Sequence, residues 1–185
     1  MAGRLTLPTW ITLLRFMFVP LLLWFLAQAN WAAALLTFIL AGASDWLDGY
    51  LARRLQLQSD IGALLDPLAD KAMLLAASAM LLWLGLIPLW LAGAIILRDV
   101  LIVSGGVMYH WHVGPVEIAP TRLGKLNTLF EFTLLTAVLL RQALAADWQL
   151  LPAYLLLLGS ILLSGGHYVW LWASKAMRHR RTGKP

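Results

Sequence analysis

A segment of 28 residues separates two long apolar runs of the chain, and it reads SDWLDGYLARRLQLQSDIGALLDPLADK (Ser44–Lys71). It contains five of the chain's nine carboxylates. The apolar runs on either side determine the fold class, because helices of that length and composition belong in a lipid bilayer. An aspartate at the centre of a bilayer costs about 2.5–3.5 kcal/mol on insertion scales. The carboxylates of this segment therefore indicate a functional site.

The composition supports a membrane protein. The chain has 185 residues, of which 61% are hydrophobic and 12% are charged, whereas a soluble domain has about 25% charged residues. The absence of cysteine excludes disulfides, thiolate metal sites and thiol catalysis. In a soluble protein a net charge of +5 would suggest nucleic acid. Here the basic residues cluster at helix ends, which favours contact with anionic lipid headgroups and no nucleic-acid partner.

Six stretches reach the length of about 20 mostly apolar residues that a membrane-spanning helix needs. They are residues 8–28, 31–53, 62–86, 88–110, 125–146 and 150–175. We predict an all-α integral membrane protein, a bundle of six transmembrane helices in a single domain over residues 1–185. No cleavage site of a signal peptide follows the first apolar run.

Lysine and arginine predict the orientation, because cytoplasmic loops carry an excess of both. With the N-terminus inside, the loops near residues 86–89 and 143–150 are external and contain neither residue type. Both termini are then cytoplasmic, and residues 175–185 form a basic cytoplasmic tail. The predicted location is the cytoplasmic (inner) membrane, with several passes. The cytoplasmic residues are Arg4, Arg53, Arg54, Arg122, Lys125, Lys175, Arg178, Arg180, Arg181 and Lys184.

The aspartates of the opening segment form two pairs. Asp45 and Asp48 are three positions apart, and Asp66 and Asp70 are four apart. Each spacing places both members on one helical face. The linker between the second and third predicted helices is short, so these helices are expected to be antiparallel neighbours. Both pairs should then meet near the cytoplasmic surface.

Four carboxylates that lie close together repel one another unless they are protonated, paired with cations or bound to metal. Arg53 and Lys71 could pair with one or two of them, and a buried salt-bridge network is the structural alternative. Oxygen-only ligands select hard ions such as Mg²⁺, Mn²⁺ or Ca²⁺. Four carboxylates suffice for two such ions, the arrangement that clamps a phosphoryl group.

The spacing of eight residues over positions 45–70 resembles the signature of the CDP-alcohol phosphatidyltransferases. The pattern is Asp45-x-x-Asp48-Gly49-x-x-Ala52-Arg53, then eight residues, then Gly62-x-x-x-Asp66-x-x-x-Asp70. Every defining position is matched, and the six predicted helices extend the likeness over the whole chain.

The resemblance implies that a CDP-linked lipid, CDP-diacylglycerol, gives its phosphatidyl group to an alcohol and that CMP leaves. It implies two divalent cations, Mg²⁺ or Mn²⁺, at an active site that faces the cytoplasm. Asp45, Asp48, Asp66 and Asp70 would hold them, and Asp70 would also be the catalytic base. The CDP-lipid would be bound by Asp45, Gly49, Ala52, Arg53 and Gly62. A homodimer is also implied, although no feature of the chain itself establishes it.

The acceptor alcohol must be recognised outside this segment. If it carries phosphate, arginine and lysine are the residues that bind it, and Arg98, Arg122 and Lys125 are the candidates. For Arg98 the structural alternative is an ion pair with Asp99 or Glu131. Ser104 and Ser164 are expected to bond to the backbone of their helices.

The sequence leaves two candidate acceptor alcohols. The opening segment resembles two kinds of family member, the cardiolipin synthases, which use phosphatidylglycerol, and the phosphatidylglycerophosphate synthases, which use glycerol 3-phosphate. LRDVLIVSGGVMY (residues 97–109) and APTRLGKLNT (residues 119–128) resemble the cardiolipin synthases more, so phosphatidylglycerol is preferred. Transferases that use inositol phosphate, serine or aminoalcohols are less favoured.

Two further classes of membrane protein use intramembrane aspartates. Intramembrane prenyltransferases also bind diphosphate through aspartates, but their acidic motifs are normally far apart in the chain. A Mg²⁺ channel or ion transporter would place acids near the membrane midplane, often within inverted repeats. Here both acidic pairs lie in one segment and no repeat is evident, so both classes are remote alternatives.

Overall fold

The structure is a computed structural model. It describes the backbone of residues 7–55, 60–112 and 121–182, and the side chains of residues 17–44, 71–102, 104–105, 121–171 and 174. These residues form six α-helices and no strand. The helices are α1 (Leu7–Ala27), α2 (Trp31–Leu55), α3 (Asp60–Trp83), α4 (Leu89–His112), α5 (Arg122–Ala143) and α6 (Leu151–Thr182).

The six predicted helices are confirmed, with ends that differ by a few residues. α5 begins three residues earlier than predicted, because Thr121 caps it: the Gly124 N–H donates to Thr121 Oγ1 at 3.0 Å. α6 continues to Thr182, so the segment predicted as a basic tail is helical up to that residue. Residues 183–185 lie outside the described part of the chain.

Two helical stretches among the described residues, Arg122–Ala143 and Leu151–Leu171, are long and apolar enough to cross a membrane. Shorter apolar helical stretches cover Met17–Ala27, Trp31–Ser44 and Lys71–Trp83. Helix number and all-α class are thus confirmed. The crossing of a membrane by all six helices and the side on which the termini lie stay predictions.

The chain divides into two compact units, the first formed by residues 1–87 and 135–148. In this unit α1 packs against both α2 and α3. Its buried residues recur every three or four positions, the spacing of one helical face. Among the side chains described in this unit, the buried residues are apolar except for Thr37 and Ser78. The largest fully buried ones are Leu22, Leu26, Phe38, Leu81, Leu135, Val138 and Leu139.

The second unit is formed by residues 88–134 and 149–185. α4 packs against α6, and two contacts define their direction: Trp90 meets Tyr154 edge to face, and Arg98 reaches Ser164. The second contact lies further along both α4 and α6 than the first, so the two helices are parallel. In contrast, Thr121 contacts Tyr168 and Ser160 contacts Asn127, so α5 runs antiparallel to α6.

Candidate functional site

The acidic segment occupies two helices of the first unit. Asp45 and Asp48 lie three positions apart on α2, and Asp66 and Asp70 lie four apart on α3. Both helices are continuous through these positions, so the spacing argument for two pairs, one per helix, applies to the folded chain. The four side chains lie outside the described residues.

The predicted CDP-lipid positions follow the same pattern. Gly49, Ala52 and Arg53 are in the last two turns of α2, and Gly62 is in the first turn of α3. The linker between the helices, residues 56–59, is outside the described part. Among the side chains that are described, no group of three His, Cys, Asp or Glu residues could hold a metal ion. The metal ligands and the substrate contacts therefore stay predictions.

The second unit contains the three residues predicted to bind the acceptor. Arg98 is buried between α4 and α6, with 6% of its surface exposed. Its Nη1 donates to Asp99 Oδ1 at 2.6 Å, and its Nη2 donates to Ser164 Oγ at 3.2 Å. Its Nε is buried and has no hydrogen-bond partner among the described residues. The structural alternative for Arg98, a pair with Asp99, is thus present, and it leaves the Nε nitrogen unpaired within that part of the chain.

Arg98 belongs to a polar core that continues along α6. Ser160, one turn before Ser164, donates to Asn127 Oδ1 of α5 at 2.6 Å. Asn127 is 1% exposed, and Glu131, one turn further along α5, is 4% exposed. A buried polar group requires hydrogen-bond partners, and α6 supplies one to Arg98 of α4 through Ser164 and one to Asn127 of α5 through Ser160.

The first turn of α5 is joined to α6 by a third contact, one turn beyond Ser164. The Thr121 backbone N–H donates to Tyr168 Oη at 3.2 Å. Gly124 lies against the same hydroxyl, since a Cβ built on Gly124 would be 3.1 Å from Tyr168 Oη and 3.2 Å from Thr121 Oγ1. The absence of a side chain at Gly124 therefore permits this close approach.

Arg122 and Lys125 are exposed on that first turn. They differ from Arg98 in burial, but the partner of Arg98 on α6 and the partner of the first turn of α5 are one helical turn apart, at Ser164 and Tyr168. Ser164, the partner of Arg98, lies between Ser160 and Tyr168, the partners of Asn127 and Thr121. Those α6 positions span eight residues, or about 12 Å along the helix.

Ser160, Asn127 and Tyr168 are not among the residues predicted from the sequence. Ser104 bonds to the backbone as expected, donating to Val100 O at 2.6 Å, whereas Ser164 accepts from Arg98. The available signal was the recurrence of polar residues every four positions in an apolar helix, at residues 160, 164 and 168. Such a pattern indicates a face that contacts other polar groups.

Comparison with known proteins gives several relatives. A CMP-forming cardiolipin synthase of Streptomyces coelicolor is 36% identical over 141 residues, covering 71% of this chain and 65% of its own length. The glycerol-3-phosphate 3-phosphatidyltransferase of Bacillus subtilis that uses CDP-diacylglycerol is 35% identical over 149 residues, covering 72% of this chain and 76% of its own. A chloroplast enzyme of Oryza sativa named for the same activity is 31% identical over 154 residues, covering 74% of this chain and 47% of its own.

The chain thus spans about half of the rice relative and about two thirds of the Streptomyces relative. A family model described as CDP-alcohol phosphatidyltransferase matches residues 5–172, which include all of the acidic segment and all three candidate acceptor residues. The chain therefore belongs to the CDP-alcohol phosphatidyltransferase family.

Proposed function

We propose that this protein transfers a phosphatidyl group from CDP-diacylglycerol to an alcohol and releases CMP. The observation that carries the proposal is the acidic signature, complete at all eight positions and located on two continuous helices. The family match supports it over 168 residues of the chain, from 5 to 172.

The donor atoms fit a divalent cation. Asp45, Asp48, Asp66 and Asp70 offer only carboxylate oxygens, the ligands that Mg²⁺ and Mn²⁺ prefer, and their spacing gives each helix one pair. Two such cations, when bound, would neutralise the diphosphate and polarise the bond that breaks.

In the proposed reaction, a hydroxyl oxygen of the acceptor attacks the phosphorus that carries diacylglycerol. The bond between that phosphorus and the bridging oxygen breaks, and CMP leaves with the electron pair. Asp70 accepts the hydroxyl proton, which makes the oxygen a better nucleophile. Arg53 binds the diphosphate, and Gly49, Ala52 and Gly62 leave room for the donor.

We propose phosphatidylglycerol as the acceptor, which makes the protein a cardiolipin synthase. Support comes from residues 97–109 and 119–128, which resemble those enzymes, and from the Streptomyces relative. Arg98 is paired with Asp99, which reduces the positive charge available to a ligand. A phosphodiester carries one negative charge, whereas a phosphomonoester carries about 1.5 to 2, so this pairing suits the phosphodiester better.

Glycerol 3-phosphate is the second candidate acceptor. The Bacillus and rice relatives bear the name of that activity at similar identity. Arg122 and Lys125, both exposed at the start of α5, would bind its phosphate. The two acceptors therefore have to be compared in one assay.

A bilayer is the proposed environment. Many large apolar side chains are exposed, among them Trp24, Trp83, Leu97, Leu163 and Trp170, while Arg98, Asn127, Glu131 and Ser164 are buried. Exposed apolar surface of this extent marks contact with a membrane or a partner. We propose the cytoplasmic membrane, with the active site facing the cytoplasm, and a homodimer as the assembly.

The decisive experiment is CMP release by the purified protein in detergent or liposomes. Mg²⁺ or Mn²⁺, CDP-diacylglycerol and a labelled acceptor are supplied, with phosphatidylglycerol and glycerol 3-phosphate in separate reactions. Labelled cardiolipin with equal release of CMP would support the preferred acceptor. Labelled phosphatidylglycerophosphate would establish the second candidate, and no CMP with either or with any other alcohol of the family would refute the transferase.

Asp70→Asn tests the base. We expect the turnover rate to fall by at least about a hundredfold, because general base catalysis typically contributes that much, while binding of CDP-diacylglycerol stays measurable. Asp147→Asn is the matched control, since Asp147 is fully exposed and pairs with Arg141 outside the acidic segment. Near-normal activity of Asp70→Asn would contradict the assignment of the base.

A further inference from the structure

We infer that Tyr168 is a positioning residue for the acceptor: its hydroxyl holds the first turn of α5, where Arg122 and Lys125 lie, against α6. The inference rests on the proposed function, and it adds a residue on the polar face of α6 that the acidic signature does not include.

The hydroxyl of Tyr168 has a defined partner. Tyr168 is 6% exposed, and its Oη accepts the Thr121 backbone N–H at 3.2 Å. Thr121 itself caps α5 through Oγ1, which accepts the Gly124 N–H at 3.0 Å, and the Lys125 N–H donates to Thr121 O at 3.1 Å. A bond to Thr121 thus fixes the residue from which the whole first turn is organised.

The close approach at Gly124 supports the same conclusion from different atoms. A Cβ at this position would press on Tyr168 Oη and Thr121 Oγ1, at 3.1 and 3.2 Å. Both oxygens are held by hydrogen bonds, so neither can move aside without loss. A side chain at Gly124 would therefore crowd the contact between the first turn of α5 and Tyr168.

The same face of α6 holds the third candidate cation. Ser164, one turn before Tyr168, accepts from Arg98. Ser164 and Tyr168 therefore fix Arg98 of α4 and the first turn of α5 on one rigid element. Groups that bind a ligand together must keep their relative positions to a fraction of an ångström, and this face supplies that constraint.

Tyr168→Phe removes the hydroxyl oxygen and keeps the ring. We expect the KM for the acceptor to rise about threefold to tenfold, the usual effect of losing one hydrogen bond to a buried group. The KM for CDP-diacylglycerol and the kcat should stay within about twofold of the original. Amide hydrogen exchange of residues 122–126 should become faster, which reports on the first turn directly.

Gly124→Ala is the second variant, and it should raise the acceptor KM in the same way, because the added Cβ separates α5 from Tyr168. Gly93→Ala and Gly159→Ala are the matched controls, since a Cβ at either glycine meets nothing within 4 Å. Tyr154→Phe controls for the loss of a tyrosine hydroxyl elsewhere on α6. The controls should leave both KM values unchanged.

Arg122→Gln separates this inference from the proposed function. If Arg122→Gln raises the acceptor KM while Tyr168→Phe and Gly124→Ala do not, the positioning role is refuted and the acceptor site stands. If none of the three changes it, the acceptor site of the proposed function is refuted, and the positioning role with it. An equal rise in both KM values for Tyr168→Phe would show a general structural role and would also overturn the inference.

Discussion

Arg98 shows how much one buried side chain can require of its surroundings. A guanidinium has five N–H donors, and two of its nitrogens have partners here, Asp99 and Ser164. The third nitrogen, Nε, is buried without a partner in the part of the chain that the structure describes. A buried charge is tolerated when it is paired. We therefore expect the stability of the contact between α4 and α6 to depend on Asp99.

Asp99→Asn should therefore destabilise the second unit. It leaves the Arg98 charge buried with a neutral partner, and breaking a buried pair costs about 3–5 kcal/mol. Because 23% of the Asp99 side chain is exposed, we expect about 2–3 kcal/mol in unfolding experiments in detergent.

Arg141 and Asp147 provide the control for that prediction. Their pair is 3.1 Å long, and the Asp147 side chain is fully exposed, so Asp147→Asn should leave the unfolding midpoint unchanged. A loss for Asp147→Asn equal to that for Asp99→Asn would contradict the role of burial.

At the scale of elements, α1, α3 and α5 end in the same way. The second residue after each helix has a positive φ: 53° at Ala29, 70° at Gly85 and 48° at Ala145. At α3 the Gly85 N–H donates to Leu82 O and the Leu86 N–H donates to Leu81 O, both at 2.9 Å. Equivalent bonds follow α1 and α5. This is the Schellman motif, which satisfies carbonyls that the helix leaves free.

Two of the three positions carry alanine, whose Cβ makes the left-handed conformation unfavourable. Ala29→Gly and Ala145→Gly should each stabilise the protein by about 1 kcal/mol, and raise its melting temperature by about 2–4 °C.

Gly85→Ala is the inverse test, and it should lower the melting temperature by a similar amount, although a Cβ there meets nothing within 4 Å. The loss of stability would then come from the unfavourable backbone φ of the alanine and not from a steric clash. A stabilising Gly85→Ala, or a destabilising Ala29→Gly, would contradict the importance of these helix ends.

For the whole molecule, the described residues combine many exposed large apolar side chains with several buried polar groups. The second unit buries Arg98, Asn127, Glu131 and Ser164, and leucine and tryptophan side chains are exposed in both units. With no water outside to satisfy polar groups, a protein in a bilayer turns them inward. This distribution supports the proposed membrane location.

The orientation can be tested with single cysteines, because the chain has none of its own. Gln149→Cys, exposed in the loop before α6, should react with a membrane-impermeant maleimide in intact cells. Lys184→Cys should react only after the membrane is opened, because the C-terminus is proposed to be cytoplasmic. The opposite pattern would reverse the orientation, and labelling of both in intact cells would contradict the crossing of the membrane by α6.

The sequence alone determined the number of helices, the positions of the acidic pairs on α2 and α3, and the family, because these depend on local composition and on spacing along one chain. The ends of α5 and α6 were less well predicted, since Thr121 and the basic residues of α6 act through capping and helix propensity and not through hydropathy.

Only the tertiary structure decided which polar residues meet. Arg98 with Ser164, Asn127 with Ser160 and Thr121 with Tyr168 are separated by 66, 33 and 47 positions, and no local pattern specifies such pairs. These pairs form where α4 and α5 meet one face of α6. The backbone groups of each helix are already bonded within that helix, so a buried polar side chain needs a partner on a neighbouring helix.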